Sequence, residues 1–315
     1  MKVLGITAGR KDSNSEILLK EALLACQDRG AEVTMINLKD YNIEECTGCT
    51  ACTHGMSAGK KVDCVLTPKD DKDEIMKVFL EQDAVIFSAP TYDLMPSATF
   101  LKFMHRNLSY ETSFLHAIGA IEQKFPVTGL IAVGGSTRSW QSMALEAMAA
   151  TTFTTSLKIV DMILAKRVPA PAQCLLNDKL IERAYKLGNN IIDAILTEPS
   201  KREWLGDKGF GWCPNCHSNA LVKGEVQWDG TYWPVECQVC GAGGDLEKDE
   251  NGEWKFVIAK DGLSRDRTTD EGRAHHLEEI KETQGGFYTE ENLKTVKSKI
   301  GKYKNLKFPT IEIKR

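Results

Sequence analysis

"KVLGITAGRKDSNSEILLKEALLACQDRG", residues 2–30, reads as one strand, one polar loop and one helix. KVLGIT (2–7) is a short apolar, β-branched run. NSEILLKEALLACQDRG (14–30) places apolar side chains at helical spacing and stops at Gly30, a C-cap residue. The loop between them, TAGRKDSNSE (7–16), opens onto a helix N-terminus, whose free N–H groups and dipole attract an anion. Arg10, Ser13, Asn14 and Ser15 suit a phosphate monoester there, and a plain turn with Ser or Asn as N-cap accounts for the same residues. The loop is not G-x-G-x-x-G, so a dinucleotide fingerprint is not indicated.

The strand–helix unit recurs. AEVTMINL (31–38), DAVIFSAP (83–90), VTGLIAVGG (127–135) and KIVDMILA (158–165) read as strands. DDKDEIMKVFLEQ (70–82), SATFLKFMHRN (97–107), SMALEAMAATTFTTSL (142–157) and NDKLIERAYKLGNNIIDAIL (177–196) read as helices. Five strands alternating with helices predict an α/β fold, a doubly wound five-stranded parallel sheet covered on both faces. In that architecture ligands sit outside the carboxyl ends of the strands. Two further loops fall on that edge, SAPTYDLMPSATFLK (88–102) and VGGSTRSWQ (133–141). Tyr92 can flank an aromatic ring, and backbone amides from Thr91 to Leu94 and Gly134 to Ser136 can bond its polar edge. Ordinary turn chemistry explains either loop taken alone.

The chain of 315 residues is 42% hydrophobic and 27% charged with net charge −4, which gives no support to a nucleic-acid partner. No apolar run approaches a membrane span, and the N-terminus has no signal-peptide pattern, so a cytoplasmic setting is expected. Ten cysteines in a reducing compartment point to metal or redox chemistry. Four fall in ECTGCTACTHGMSAGKKVDC (45–64): Cys46, Cys49 and Cys52 at two-residue gaps, then Cys64. This loop follows the second strand and therefore emerges on the same edge. Such a triple can wrap one corner of a cubane with a fourth ligand arriving later, whereas zinc more often takes two separated pairs. Reduced thiols and a redox dithiol remain open on spacing alone. His54 reads as solvated, Cys26 as core, and Cys174 has no partner pattern.

In order, the three loops resemble those of the flavodoxin-like NAD(P)H-dependent FMN reductases, over about residues 1–197. The resemblance implies FMN, with Arg10, Ser13, Asn14 and Ser15 on its phosphate and Pro90, Thr91, Tyr92, Asp93, Leu94, Gly134, Gly135 and Ser136 around its ring. Ala8 and Gly9 stand where that family usually has Ser and Pro. CTGCTAC…DCVLTPKDD is similar to the iron–sulfur flavoprotein branch, which implies a [4Fe–4S] cluster on Cys46, Cys49, Cys52 and Cys64. The gap before Cys64 is longer than is usual there.

After a linker at 198–206, CPNC (213–216) and CQVC (237–240) form two knuckles. Cys213, Cys216, Cys237 and Cys240 fit four thiolates around a tetrahedral ion, similar to a zinc ribbon over residues 207–262, with WDGTYW as a turn flanked by strands. A rubredoxin-like iron site is the second reading. Residues 263–315 read as a charged helical tail whose KTVKSKIGKYKNLK is a solvated face or a docking arm for an acidic partner.

The expected activity is an FMN-dependent oxidoreductase linking a one-electron, ferredoxin-like carrier to a two-electron donor or small-molecule acceptor. Two rivals stand: an NAD(P)H-driven reductase of quinones or nitroaromatics, and a non-enzymatic flavin sensor whose ribbon binds a partner. A homodimer or higher homo-oligomer is implied by the resemblance. No paired carboxylates or Ser/His/Asp set argues for hydrolysis.

Overall fold

β-branched and aliphatic runs become the strands of the first unit, and the polar, glycine- and serine-containing stretches become its edge loops. The computed structural model describes residues 1–306 and 308. The unit runs β1 (Lys2–Thr7), α1 (Asn14–Asp28), β2 (Glu32–Asn37), α2 (Ala51–Ser57), α3 (Lys72–Phe79), β3 (Ala84–Tyr92) and β4 (Met95–Pro96). It continues through α4 (Ala98–Met104), α5 (Thr112–Ala117), β5 (Val127–Val133), α6 (Ala144–Ala150), β6 (Lys158–Ala165) and α7 (Asp178–Leu196). Five strands pair in parallel in the order β2-β1-β3-β5-β6, and the two-residue β4 folds back antiparallel on β3. This is the doubly wound arrangement expected from the alternation.

Period-2 burial sends alternate strand residues to two cores. Val3, Ile86, Ile131 and Val160 pack under α1 and α7. Leu4, Ile6, Phe87 and Leu130 pack under α3, α4 and α6 through Met76, Phe100 and Met148. Helices α1 and α7 touch closely at Gly188, where a Cβ would stand 2.0 Å from the Ala22 carbonyl oxygen.

One predicted helix is shorter than expected. The SMALEAMAATTFTTSL stretch is helical only to Ala150. Beyond it, threonine hydroxyls bond back to carbonyls, Thr151 to Met148 at 2.9 Å and Thr152 to Ala149 at 2.8 Å, and these β-branched residues favour leaving the helix.

The second unit is a four-stranded antiparallel sheet: β7 (Leu221–Lys223), β8 (Val235–Cys237), β9 (Gly243–Lys248) and β10 (Trp254–Ile258), in the order β10-β9-β8-β7. WDGTYW is a turn around Gly230 (φ +87°), but its immediate flanks are loop and the pairing strands lie further out. Val239, Ala242 and Phe256 share the core that holds α4 and α6, so this sheet packs onto the α/β unit. Trp204 from the linker stacks on His217 at 4.2 Å.

Helix α8 (Asp270–Phe287) returns to α2 and α5, where Leu277 and Ile280 meet Met56, Phe114 and Leu115. Helix α9 (Glu290–Asn305) follows with no buried residue, in keeping with a solvated face. Residues 307 and 309–315 of the predicted tail lie outside the described residues.

Candidate functional site

The loop after β1 begins the site. Ser13 caps α1, its Oγ accepting from the Glu16 N–H at 3.3 Å and standing 3.0 Å from the Ser15 Oγ. A Cβ on Gly9 would fall 2.2 Å from the Ser15 Oγ and 2.5 Å from the Ser13 Oγ, so glycine is what leaves this hydroxyl-lined cradle open. Glycine, two hydroxyls and a helix N-terminus are a donor set for a phosphate.

Around that cradle, Arg10, Ser13, Asn14, Ser15, Pro90, Thr91, Tyr92, Gly134 and Gly135 line one recess of about 190 Å³. Thr91 Oγ1 is buried with no partner among the described residues. An open cradle and an orphaned hydroxyl fit FMN. Three predicted residues do not line the recess. Asp93 and Leu94 form the tip of the β3–β4 hairpin, both with left-handed φ (49° and 72°), the backbone of a tight two-residue turn. Such a φ is strained for leucine, and Met143 N–H holds it by bonding the Leu94 carbonyl at 3.2 Å. The Ser136 carbonyl is occupied by the Gln141 amide and the Arg167 N–H.

Asn14 lines the recess and has a second duty. Its Nδ2 donates to the Val168 and Ala170 carbonyls (2.9 and 2.8 Å), and its Oδ1 accepts from the Cys174 N–H at 2.9 Å. Its side chain ties down a fourth wall, Val168 to Pro171, that sequence reading missed. RVPAPAQ, directly after the fifth strand, was the available signal.

The ribbon cysteines converge. Cys213, Cys216, Cys237 and Cys240 are buried, with all four sulfurs within 4.8 Å of one another. The Cys213–Cys240 and Cys216–Cys237 sulfurs are 3.6 Å apart. Thiolates about 2.3 Å from a tetrahedral ion stand about 3.8 Å from each other, so the quartet fits one metal ion.

The 45–64 loop is built differently. Cys46 and Cys49 are exposed, and Cys52 and Cys64 are half-buried. Burial pushes the Cys52 thiol up, and nearby Cys46 and Cys49 add to this by repulsion, so these three are neighbours. The His54 ring sits edge-on to Tyr288 at 5.4 Å. Further along the chain, the buried Arg106 guanidinium pairs with buried Asp70. Arg106 also donates to the Glu44 carbonyl at 3.2 Å, and Asp70 accepts from the Glu44 N–H at 2.7 Å. One buried ion pair therefore pins both ends of the loop, a role no sequence pattern announced. Burial raises the Asp70 carboxyl, but Arg106 and the backbone N–H donors more than offset this and hold it below the usual range.

A doubly wound sheet with such a recess at its carboxyl edge defines a mononucleotide-binding class of α/β protein. The family profile described as NADPH-dependent FMN reductase matches residues 1–162, and the chain belongs to that family. It is a flavin-dependent oxidoreductase family. Over 298 residues the chain is 25% identical to a flavone synthase of Aspergillus candidus, covering 90% of this chain and 89% of the relative. It is 32% identical over 147 residues to an iron–sulfur flavoprotein of Methanocaldococcus jannaschii, covering 46% and 68%. A solved flavone reductase has the same fold at TM-score 0.73 and 24% identity, covering 99% of this chain and 100% of that one. Among the described residues no helix is long and apolar enough to cross a membrane.

Proposed function

We propose that this protein is an FMN-dependent oxidoreductase of planar aromatic ketones of the flavone type. One hydride and one proton are added across, or removed from, the carbon–carbon bond conjugated to the ring ketone. The carrying observation is the apolar rim beside the recess. Tyr92, Met95, Trp140 and Met143 are all exposed, Trp140 at 68%, on the loops that close the carboxyl edge. A flat aromatic molecule covers such a rim, and the names of the two relatives that match along nearly the whole chain support the same substrate class.

Bound FMN supplies or accepts the hydride; the chemistry is the cofactor's. The chain's own residues hold it. The Ser13 and Ser15 hydroxyls and the first N–H groups of α1 take the phosphate, with Arg10 alongside. Pro90, Thr91, Tyr92, Gly134 and Gly135 flank the ring, and Asn14 positions the Val168–Pro171 wall. NAD(P)H is the two-electron donor on this reading. Cys46, Cys49 and Cys52, with Cys64 as fourth ligand, would hold a [4Fe–4S] cluster, which would supply one-electron chemistry suited to a ferredoxin-like carrier. Zinc occupies the ribbon quartet. Residues 1–197 form the FMN unit and 207–262 the ribbon. Ten cysteines, most of them in metal-ligand patterns rather than a disulfide framework, support a cytoplasmic setting. The exposed cofactor edge supports a homodimer or higher homo-oligomer.

The test is anaerobic incubation of purified holoenzyme with NADPH and flavone, followed by chromatography for the dihydro product, then the reverse reaction with an electron acceptor. Flavin reduction without conversion in either direction refutes the substrate class. Conversion driven only by reduced ferredoxin selects the carrier over NADPH.

A further inference from the structure

Helix α9 has no buried residue, yet it is not polar all round. Leu293, Val296, Ile300 and Tyr303 are exposed at between 42% and 65%. Their spacing of three, four and three residues lays them along one seam of the helix. The helix holds that seam out without support from the body. The Thr289 hydroxyl caps it, accepting from the Asn292 N–H at 3.2 Å. Glu290 and Glu291 in its first turn, and Lys302 and Lys304 in its last, suit the helix dipole. Four large apolar side chains in register on a free-standing helix call for a second helix to cover them.

The flanks of the seam select that helix. With Leu293 and Ile300 at heptad position a, and Val296 and Tyr303 at d, the e positions are Glu290, Lys297 and Lys304. A second copy laid antiparallel stacks Leu293 on the partner's Tyr303 and Val296 on the partner's Ile300. The same register brings Glu290 to the partner's Lys304, and two-fold symmetry repeats the pair. Lys297 and Lys299 face their own copies near the axis, where long stems carry the ammonium groups out to water. A parallel pair loses both ion pairs and sets Lys299 against the partner's Lys304. A different, acidic protein would gain from the lysines but would meet Glu290 and Glu291 with like charge.

We propose that α9 is a self-docking helix, pairing antiparallel with α9 of a second copy of this chain through the Leu293, Val296, Ile300 and Tyr303 seam. The proposal rests on the homo-oligomer reading above and names the surface that makes it. Sixteen residues give few turns of seam, so the contact clasps a dimer alongside its other contacts. It also reaches the cysteine loop. Tyr288, two residues before the helix, meets the His54 ring at 5.4 Å, so antiparallel pairing points the lysine-bearing end of the partner's α9 toward each 45–64 loop.

The test is zero-length carbodiimide cross-linking of the purified full chain, with mass spectrometry of the linked peptides. Glu290 and Lys304 are about 21 Å apart along one helix, so a bond between them forms only between copies. The expected result is a dimer by sedimentation that gives the Glu290–Lys304 link. Val296→Asp should abolish the link and weaken the dimer at least about tenfold, while FMN content and the circular dichroism spectrum hold. Glu290→Lys should weaken it too, and the reversed pair Glu290→Lys with Lys304→Glu should restore it. A dimer without the link, or one whose affinity Val296→Asp leaves unchanged, overturns the α9 contact and keeps the homo-oligomer reading. A monomer at micromolar concentration removes both. Links from the α9 lysines to an added ferredoxin, in place of the Glu290–Lys304 link, overturn self-pairing in favour of an acidic partner.

Discussion

The ribbon and the 45–64 loop each carry four cysteines, built from the same two-residue gaps, and the fold treats them in opposite ways. In the ribbon, two separate knuckles meet across paired strands, so backbone hydrogen bonds set the sulfur spacing and the thiols are buried. In the loop, Cys46 and Cys49 are exposed, Cys52 sits half-buried in a seven-residue helix, and Cys64 lies half-buried beyond it. The difference teaches that spacing specifies which thiols can share a metal, while the elements on either side decide whether they are preorganised. The ribbon sulfurs lie within 4.8 Å of one another. In the loop, two of the four cysteines are exposed and two half-buried.

The largest expected effect comes from breaking the preorganised set. Cys213→Ser should empty the ribbon site, where apparent metal-binding free energy is on the order of 10 kcal/mol. Zinc analysis should fall from one ion per chain to none, and the ribbon should lose protection in hydrogen exchange while FMN content stays near normal. Iron in that site would instead make the two cysteine sets electron carriers alike.

Next is the pin beneath the loop. Arg106→Met leaves the Asp70 carboxylate buried without its partner, a change that costs about 3–5 kcal/mol. Thermal unfolding should register that loss, and the 45–64 backbone should exchange faster than the ribbon's. An unchanged melting temperature would show that the loop does not depend on this pair.

A smaller effect distinguishes the two regions by pH. Burial pushes the Glu111 carboxyl up to about 7, against the pull of Arg273 on α8. The folded state then holds this proton more tightly than the unfolded chain, whose glutamate titrates near about 4.3. Stability from this group is therefore full at low pH and falls as pH rises from about 4.5 to 7, by about 3 kcal/mol at most. Glu111→Gln should flatten that slope and raise the melting temperature at pH 8. The ribbon's hydrogen-exchange pattern should not follow.

The smallest effect on stability belongs to the exposed thiols. Cys49→Ala should change unfolding free energy by less than about 0.5 kcal/mol, the usual range for a surface site. Yet it should abolish bound iron and broad visible absorption in anaerobically prepared protein, leaving FMN and zinc in place. Retained iron in single variants of Cys46, Cys49, Cys52 and Cys64 would remove the cluster from the proposal.

What sequence made legible divides along local and non-local lines. Strand identity, the parallel sheet and three of the four recess walls followed from short runs such as KIVDMILA and from loops that directly succeed strands. The paired knuckles were equally readable, because two C-x2-C units at hairpin distance have few other uses. The tethering role of Asn14 stayed hidden because a side-chain amide reaching carbonyls 154 and 156 positions away looks, in sequence, like any loop asparagine. Arg106 and Asp70 lie 36 positions apart with no periodic signal between them.

The contact between α8 and α2 has a consequence for how the protein is made. The loop's cysteines leave the ribosome roughly two hundred residues before Asp270, where the helix that packs against α2 begins. At about 5–20 residues per second, that interval lasts on the order of ten seconds or more. For the first part of that interval the sheet still lacks its last parallel strand, β6. The C-terminal helix therefore reaches α2 only after the loop and the whole parallel sheet have been made.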